Sequence, residues 1–159
     1  MSSDGNIVLD AVVTRLKTIR KANGFGFDVE FVERKFCWPD DIGQRFPALI
    51  VLPSGVQPLE KSLQSNYQMV NRSVSVLCYV YEQHDPASAL EDFQADILKC
   101  LFSEPALLGG AVRDIRWSGS DSSANVFSVV GFSVGYTAPI GVARVDFVVS
   151  HDVYLLGGA

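Results

Sequence analysis

The chain has 159 residues, 48% of them apolar and 19% charged, with 13 Lys+Arg against 18 Asp+Glu for a formal net charge of −5. That acidic balance argues against a domain built to neutralise phosphates, because such binding rests on dense Lys/Arg patches. No apolar run approaches the ~20 residues that span a bilayer, and the opening Met-Ser-Ser-Asp-Gly-Asn lacks the basic leader and apolar core of a signal peptide, which predicts a protein made and used in a cytosol.

The length fits one domain with a normal core. Charged residues fall below the usual quarter, so part of the apolar surface is expected to be covered by partners. Cys37, Cys78 and Cys100 are odd in number, far apart and without a Cys-x-x-Cys pair, which indicates neither a disulfide framework nor a zinc site. Cys78 and Cys100 read as small core residues. Asn71-Arg72-Ser73 matches the glycosylation pattern, but it opens a strand and reads as chance.

Ile7, Val8, Ala11, Val12, Leu16 and Ile19 recur at helical steps with Arg15, Lys17, Arg20 and Lys21 mostly between them, predicting a helix with one buried face. Asp4 or Asn6 is the expected cap and Asn23-Gly24 the left-handed stop. Phe25, Phe27, Val29 and Phe31 then alternate with Gly26, Asp28 and Glu30 as a half-buried strand. After a loop through Trp38-Pro39-Asp40-Asp41, Pro47 to Leu52 reads as a second strand bounded by prolines, and Pro53-Ser54-Gly55 as a turn. Residues 54–68 show no sustained period and are expected to form a loop or arm that orders on contact.

Asn71 to Tyr81 is a long alternating strand. His84-Asp85-Pro86 leads from it into a helix from Ala87 to Leu101, with Asp85 as cap, Pro86 at the first helical position, and Leu90, Phe93, Ile97 and Leu101 on one face. Ala111 to Trp117 reads as a strand, residues 118–123 as a polar hairpin tip, and Val126, Val130, Phe132, Val134 and Tyr136 as one face of a further strand. Pro139-Ile140-Gly141 is read as a turn before a last strand from Val142 to Leu156, whose Val145, Phe147, Val149 and Val153 share a side.

Gly131-Phe132-Ser133-Val134-Gly135 spells a nucleophile elbow, and Asp146 and His151 follow in the order Ser, Asp, His. An elbow needs a strand before the serine and a helix after it, whereas this pentapeptide is expected within a strand. The glycines are then places where a neighbouring aromatic lies over the backbone. Asp40-Asp41 and Glu91-Asp92 lack the ligand spacing of a calcium loop, and Gly24-Phe25-Gly26 lacks that of a phosphate loop. No catalytic residue, cofactor or metal site is predicted.

The predicted fold is a single α+β domain over residues 1–159, mainly an antiparallel β-sheet with two main α-helices packed on one face and hairpins at both ends of the chain. In this element order, and in the helix closing at Asn23-Gly24-Phe25, the Phe46-Pro47-Ala48-Leu49-Ile50-Val51 strand, Arg72 leading the long strand, the capped helix Asp85 to Leu101 and a last strand ending in Val153-Tyr154, the chain resembles the tail terminator (tail completion) proteins of long-tailed bacteriophages. The resemblance runs over nearly the whole length. It implies a structural virion protein and no enzyme: a homohexameric ring that caps the head-proximal end of the tail tube, stops its elongation and offers a surface to the neck.

The implied partners are further copies of itself, the tail tube protein, a neck or head-completion protein and the tape measure protein, with no membrane and no specific nucleic acid. Assembly would take place in the host cytoplasm. A neck or head–tail joining protein is the alternative, and a small hydrolase using Ser133 a weaker one. The long loop 33–46 and the turn at 137–141 depart from the family pattern, so no functional residue is carried over. Interface candidates come from loop position and residue type: Arg34, Lys35, Phe36, Trp38 and Arg45 in the first loop, Leu59, Leu63 and Tyr67 around the 54–68 segment, and Arg116 with Trp117 farther on.

Overall fold

The computed structural model describes residues 3–43, 45–59, 67–82, 84–103, 107–121, 126–129, 132–135 and 140–154. Helix α1 (Asp4–Leu16) starts where Ser3 Oγ accepts the Asn6 N–H at 3.2 Å, so Ser3 is the cap and Asp4 sits in the first turn, where its charge suits the helix dipole. Val8, Leu9, Val12 and Leu16 are buried, but Ile7, expected on the same face, points outward and is exposed. The helix ends short of Ile19 because the Thr18 and Ile19 N–H groups turn to the carbonyls of Arg15 and Leu16, a tightening that still leaves Ile19 fully buried. Gly24, left-handed at φ 91°, closes the short turn that follows.

Helix α2 (Pro86–Phe102) forms as its signals require: Asp85 Oδ1 accepts the Ser88 N–H at 3.0 Å, and Pro86 fills the first turn. Leu90, Phe93, Ile97, Cys100 and Leu101 are buried along it.

The strands are β1 (Phe31–Glu33), β2 (Ala48–Pro58), β3 (Tyr67–Tyr81), β4 (Asp114–Asp121), β5 (Val126–Val129), β6 (Phe132–Gly135) and β7 (Ile140–Tyr154). Five of them make one sheet in the order β1-β2-β3-β7-β4, antiparallel except for the parallel pair β1 and β2, while β5 and β6 form a separate antiparallel pair. The architecture is α+β, with both helices on one face of a mainly antiparallel sheet.

Strand alternation divides the core in two. Toward the helices β3 turns Val74, Val76, Cys78 and Val80, and β7 turns Ala143, Val145, Phe147 and Val149, all buried with the apolar stripes of α1 and α2. The opposite face carries a smaller cluster of Ala48, Ile50, Leu77, Tyr79 and Val142, closed over by Ile42 together with Phe36, Cys37 and Phe46. The Tyr79 hydroxyl donates to the Cys37 carbonyl at 3.0 Å and pins that loop to the sheet.

Several segments differ from what their residues suggest. Residues 25–30 are extended but unpaired as a strand among the described residues, and β1 is confined to Phe31–Glu33, running parallel to β2 instead of forming a hairpin with it. The segment from Ser54 to Pro58 is strand, not loop: it continues β2 past a bulge at Ser54 and pairs with Val70–Ser73. Exposure on both faces removes the hydrophobic period there, and cross-strand pairing supplies the order instead. Strand β4 runs on through the expected hairpin tip to Asp121, bulging at Ser118. The expected single strand 126–136 is a hairpin, Val126 opposite Gly135 and Val129 opposite Phe132, and Val130 and Tyr136 lie outside the described residues. Strand β7 begins at Ile140, so the predicted turn at 139–141 is already strand at Ile140 and Gly141.

From Val51 onward the outer edge of β2 has no strand beside it among the described residues. The Leu59 N–H bonds the Met69 carbonyl, so by alternation Val56 and Pro58 turn their backbone groups to the open edge, and so, counted through the bulge, does Pro53. Two of the outward positions therefore carry no N–H, which protects this edge against strand addition.

Gly141 is the position where a neighbour lies on the backbone. A Cβ there would meet Leu90 Cδ1 at 2.9 Å and Val80 Cγ2 at 3.1 Å. Gly141→Ala is expected to destabilise by about 1–3 kcal/mol through overpacking, read as a lower denaturant midpoint at unchanged slope.

Under α1 a half-buried arginine meets a buried histidine. Arg72 Nε donates to His151 Nε2 at 3.0 Å, so the ring proton sits on Nδ1, which faces the Asp152 carbonyl at 3.1 Å. A Cβ on Gly5 would lie 2.6 Å from Arg72 Nη2, so the glycine lets α1 rest on the guanidinium in this position, and a larger residue there would make the arginine shift. His151 is 2% exposed, and burial pushes its pKa below the usual value, helped by the Arg72 charge and opposed by the Asp152 carbonyl and the charges of Asp4 and Asp152. Because the folded pKa is the lower one, the unfolded chain binds the extra proton. The contribution of the neutral imidazole is complete above about pH 6.5 and is lost as pH falls toward the folded value. Denaturation between pH 8 and 5 should show stability falling with acidification, and His151→Gln, which keeps an acceptor for Arg72, should flatten that part of the slope.

Candidate subunit interface

The ten sequence-predicted interface residues do not form one patch. In the 34–46 loop, Arg34 is turned inward to α1: Nη1 pairs with Asp10 at 3.0 Å and Nη2 donates to Asn6 Oδ1 at 2.8 Å. Phe36 is half-buried and packs against the outer-face core. Trp38 stands edge-on to Phe36 at 4.8 Å and 85° and remains 36% exposed, held by a ring that is itself packed. Lys35 is exposed. Arg45 lays its guanidinium 4.5 Å from the centre of the Phe31 ring and donates from Nε to the Ile42 carbonyl at 3.1 Å.

Leu59 is exposed at the end of β2, where its carbonyl accepts from the Gln68 side chain. Tyr67 opens β3 opposite Tyr154, and Leu63 lies outside the described residues. On β4, Arg116 bonds Asn71 Oδ1 and Asp114, each at 3.3 Å, and so joins the polar outer face. Trp117, its neighbour, is 54% exposed beside α2, with the indole N–H on Ser120 Oγ at 3.1 Å.

The outer face of β3, β7 and β4 is a polar network that no motif announced. Ser75 Oγ donates to Asp146 Oδ1 at 2.6 Å, Arg144 Nε to Asp146 Oδ2 at 3.1 Å, and Ser150 Oγ to Asn71 Oδ1 at 2.6 Å. Charged hydrogen-bonded groups of this kind hold side chains in place while leaving the face wet.

Sequence reasoning missed a groove of about 510 Å³ at the end of β3, where Phe46 and Tyr81 face each other across 6.2 Å and Phe27, Val80 and Ala89 complete the apolar wall. Glu82, Asp85 and Asp92 stand along its continuation past α2. Tyr81 was hidden because it continues the alternation of Leu77 and Tyr79, yet lies beyond the loop that covers them.

The elbow residues do not converge. Asp146 faces the outer side of β7, bonded to Ser75, while His151 faces the helices, bonded to Arg72. Five positions apart on one strand, they must project from opposite faces. Ser133 sits in β6, opposite Ser128 of β5.

The two aromatic residues of the loop should separate in their effects. Phe36→Ala is expected to cost about 2–3 kcal/mol of stability through the cavity it leaves, whereas Trp38→Ala should cost about 1 kcal/mol or less, compared by urea denaturation. No protein-family model matches this chain, and no curated protein sequence matches it either.

Proposed function

We propose that the protein is a ring-forming structural part of a phage tail, the terminator that closes the head-proximal end of the tail tube. The observation that carries this reading is the placement of two exposed tryptophans on different surfaces, Trp38 on the loop that covers the outer face of the sheet and Trp117 on β4 beside α2. Different aromatic surfaces on one domain are what a head-to-tail contact uses, and such a contact closes into a ring when its rotation allows. The α+β plan agrees with the element order on which the resemblance rests. The separation of Asp146 from His151 supports a role without acyl chemistry.

Under this reading copies of the chain meet side by side. One face of the ring rests on the tail tube protein around the tape measure protein, and the other receives a neck or head-completion protein. The virion is the site of action and the host cytoplasm the site of assembly.

Light scattering of the purified protein, with negative-stain imaging alone and mixed with tail tubes, tests the reading. Closed rings that sit on one tube end are expected, together with overlong headless tails when the gene is lost. A protein that stays monomeric at every concentration and ignores tube ends overturns it, and normal tails beside unjoined heads would assign a joining role instead.

A further inference from the structure

Helix α1 begins on a polar support. Its first turn buries Gly5 alone, because Ile7 points outward at 49% exposure and the buried apolar face starts at Val8. Beneath Gly5 lies the Arg72 guanidinium, flush enough that a Cβ would meet Nη2, Cζ and Nη1 at 2.6, 2.8 and 3.1 Å. The guanidinium is held in turn by its Nε–H, which donates to His151 Nε2 at 3.0 Å.

Arginine keeps its charge at every working pH, whereas imidazole offers an acceptor only while neutral. A protonated His151 still donates from Nδ1 to the Asp152 carbonyl, 3.1 Å away, but its Nε2 then sets a second donor and a second positive charge against Arg72 Nε. The charges that act on the ring are Arg72 from β3, Asp152 from β7 and Asp4 from α1. Neither carboxylate replaces the lost bond: Asp152 already takes Arg113 on Oδ2 at 2.8 and 3.0 Å, and Asp4 belongs to the turn that has to stay in place. Arg72 is half-buried, so its guanidinium has a way out to water, and when it leaves Gly5 loses what it rests on.

Past the first turn the helix has other support, since Val8, Leu9, Val12 and Leu16 all sit in the main core. An opening is thereby confined to the start of α1. That turn also carries Asn6, whose Oδ1 accepts from Arg34 Nη2 at 2.8 Å, while Asp10 holds Nη1 at 3.0 Å.

We infer that the Arg72–His151 bond is a pH-sensitive latch: protonation of His151 releases the first turn of α1, and with it the Asn6 hold on Arg34 of the 34–46 loop, while the rest of the helix stays on the sheet. Release needs the imidazolium, so it sets in below the ordinary histidine value of about pH 6.5. The latch goes beyond the ring reading and does not depend on it.

Backbone amide exchange of the full chain, corrected for its intrinsic pH dependence, tests the latch. Between pH 8 and 5 the amides of Asn6 and Ile7, both bonded to Ser3, should lose about tenfold or more in protection, while those of Phe93 and Ile97 in α2 keep theirs. The midpoint of the loss should coincide with the titration of the His151 ring followed by NMR. His151→Gln, which leaves Arg72 an acceptor, should keep the turn closed across the range, and His84→Gln, at an exposed position just before α2, should respond as the wild type does. First-turn protection that is unchanged between pH 8 and 5 overturns the latch, as does a loss spread evenly over α1 and α2, a midpoint apart from that of His151, or a wild-type response in His151→Gln. The midpoint comparison needs only the wild-type chain, so it decides the matter even where His151→Gln fails to fold.

Discussion

Everything in this fold is referred to the ladder between β3 and β7, which runs without a break from Tyr67 opposite Tyr154 to Tyr81 opposite Ile140. A side-chain period of two means that one register assigns every residue of both strands to a face, and a slip by one would carry the whole valine row of β7 out of the main core. The register is held because the rows differ sharply: Val74, Val76, Cys78 and Val80 beside Ala143, Val145, Phe147 and Val149 on the helix side, against Ser73, Ser75, Arg144 and Asp146 on the other. Only at the Tyr79 and Val142 end does the second face turn apolar, and there the 34–46 loop covers it. The loop's position follows from the ladder, as does the stance of Trp38.

What could be read from the residues is what is local. The Asp85–Pro86 start of α2, the stripe from Leu90 to Leu101 and the alternation of β3 and β7 each depend on neighbours within a few positions, and all appear in the structure. The strand from Ser54 to Pro58 could not be read because its order comes from residues 70–73, and propensity alone assigns Ser, Gly and Pro to a turn. The hairpin of β5 and β6 failed for a related reason: Val126, Val130, Phe132 and Val134 keep a single parity across the point where the chain reverses. Residue type singled out Trp38 and Trp117, which are exposed, and Phe36, which packs on a second small core, since an aromatic in a loop looks the same whether it faces water or a core.

The pair of half-buried Arg72 and buried His151 shows how the ladder is joined to α1. Both residues continue the helix-facing rows, Arg72 beyond Val74 and His151 beyond Val149, at the end where apolar side chains give way. A helix N-terminus repels a cation, so a guanidinium beneath α1 is tolerated only with compensation. The structure brings Gly5 to make room and a neutral imidazole as acceptor, with the Asp4 charge in the same turn. Such a pair adds less to stability than an apolar one would, but it admits only one orientation of the helix on the sheet.

The open edge of β2 restricts how copies of the chain can meet. Strand addition there would require donors at Pro53 and Pro58 that proline does not have, and the bulge at Ser54 breaks the spacing between them. The polar outer face is equally unsuited, because Asn71, Ser75, Arg144, Asp146 and Ser150 already bond one another and would have to be stripped of water for little return. For the proposed ring this leaves the β4 edge and exposed side chains, of which the tryptophans at 38 and 117 are the largest among the described residues. A contact through projecting anchors fixes the angle between neighbours more tightly than one through a flat surface. In the proposed ring, that angle would decide between closure after a set number of copies and an open filament.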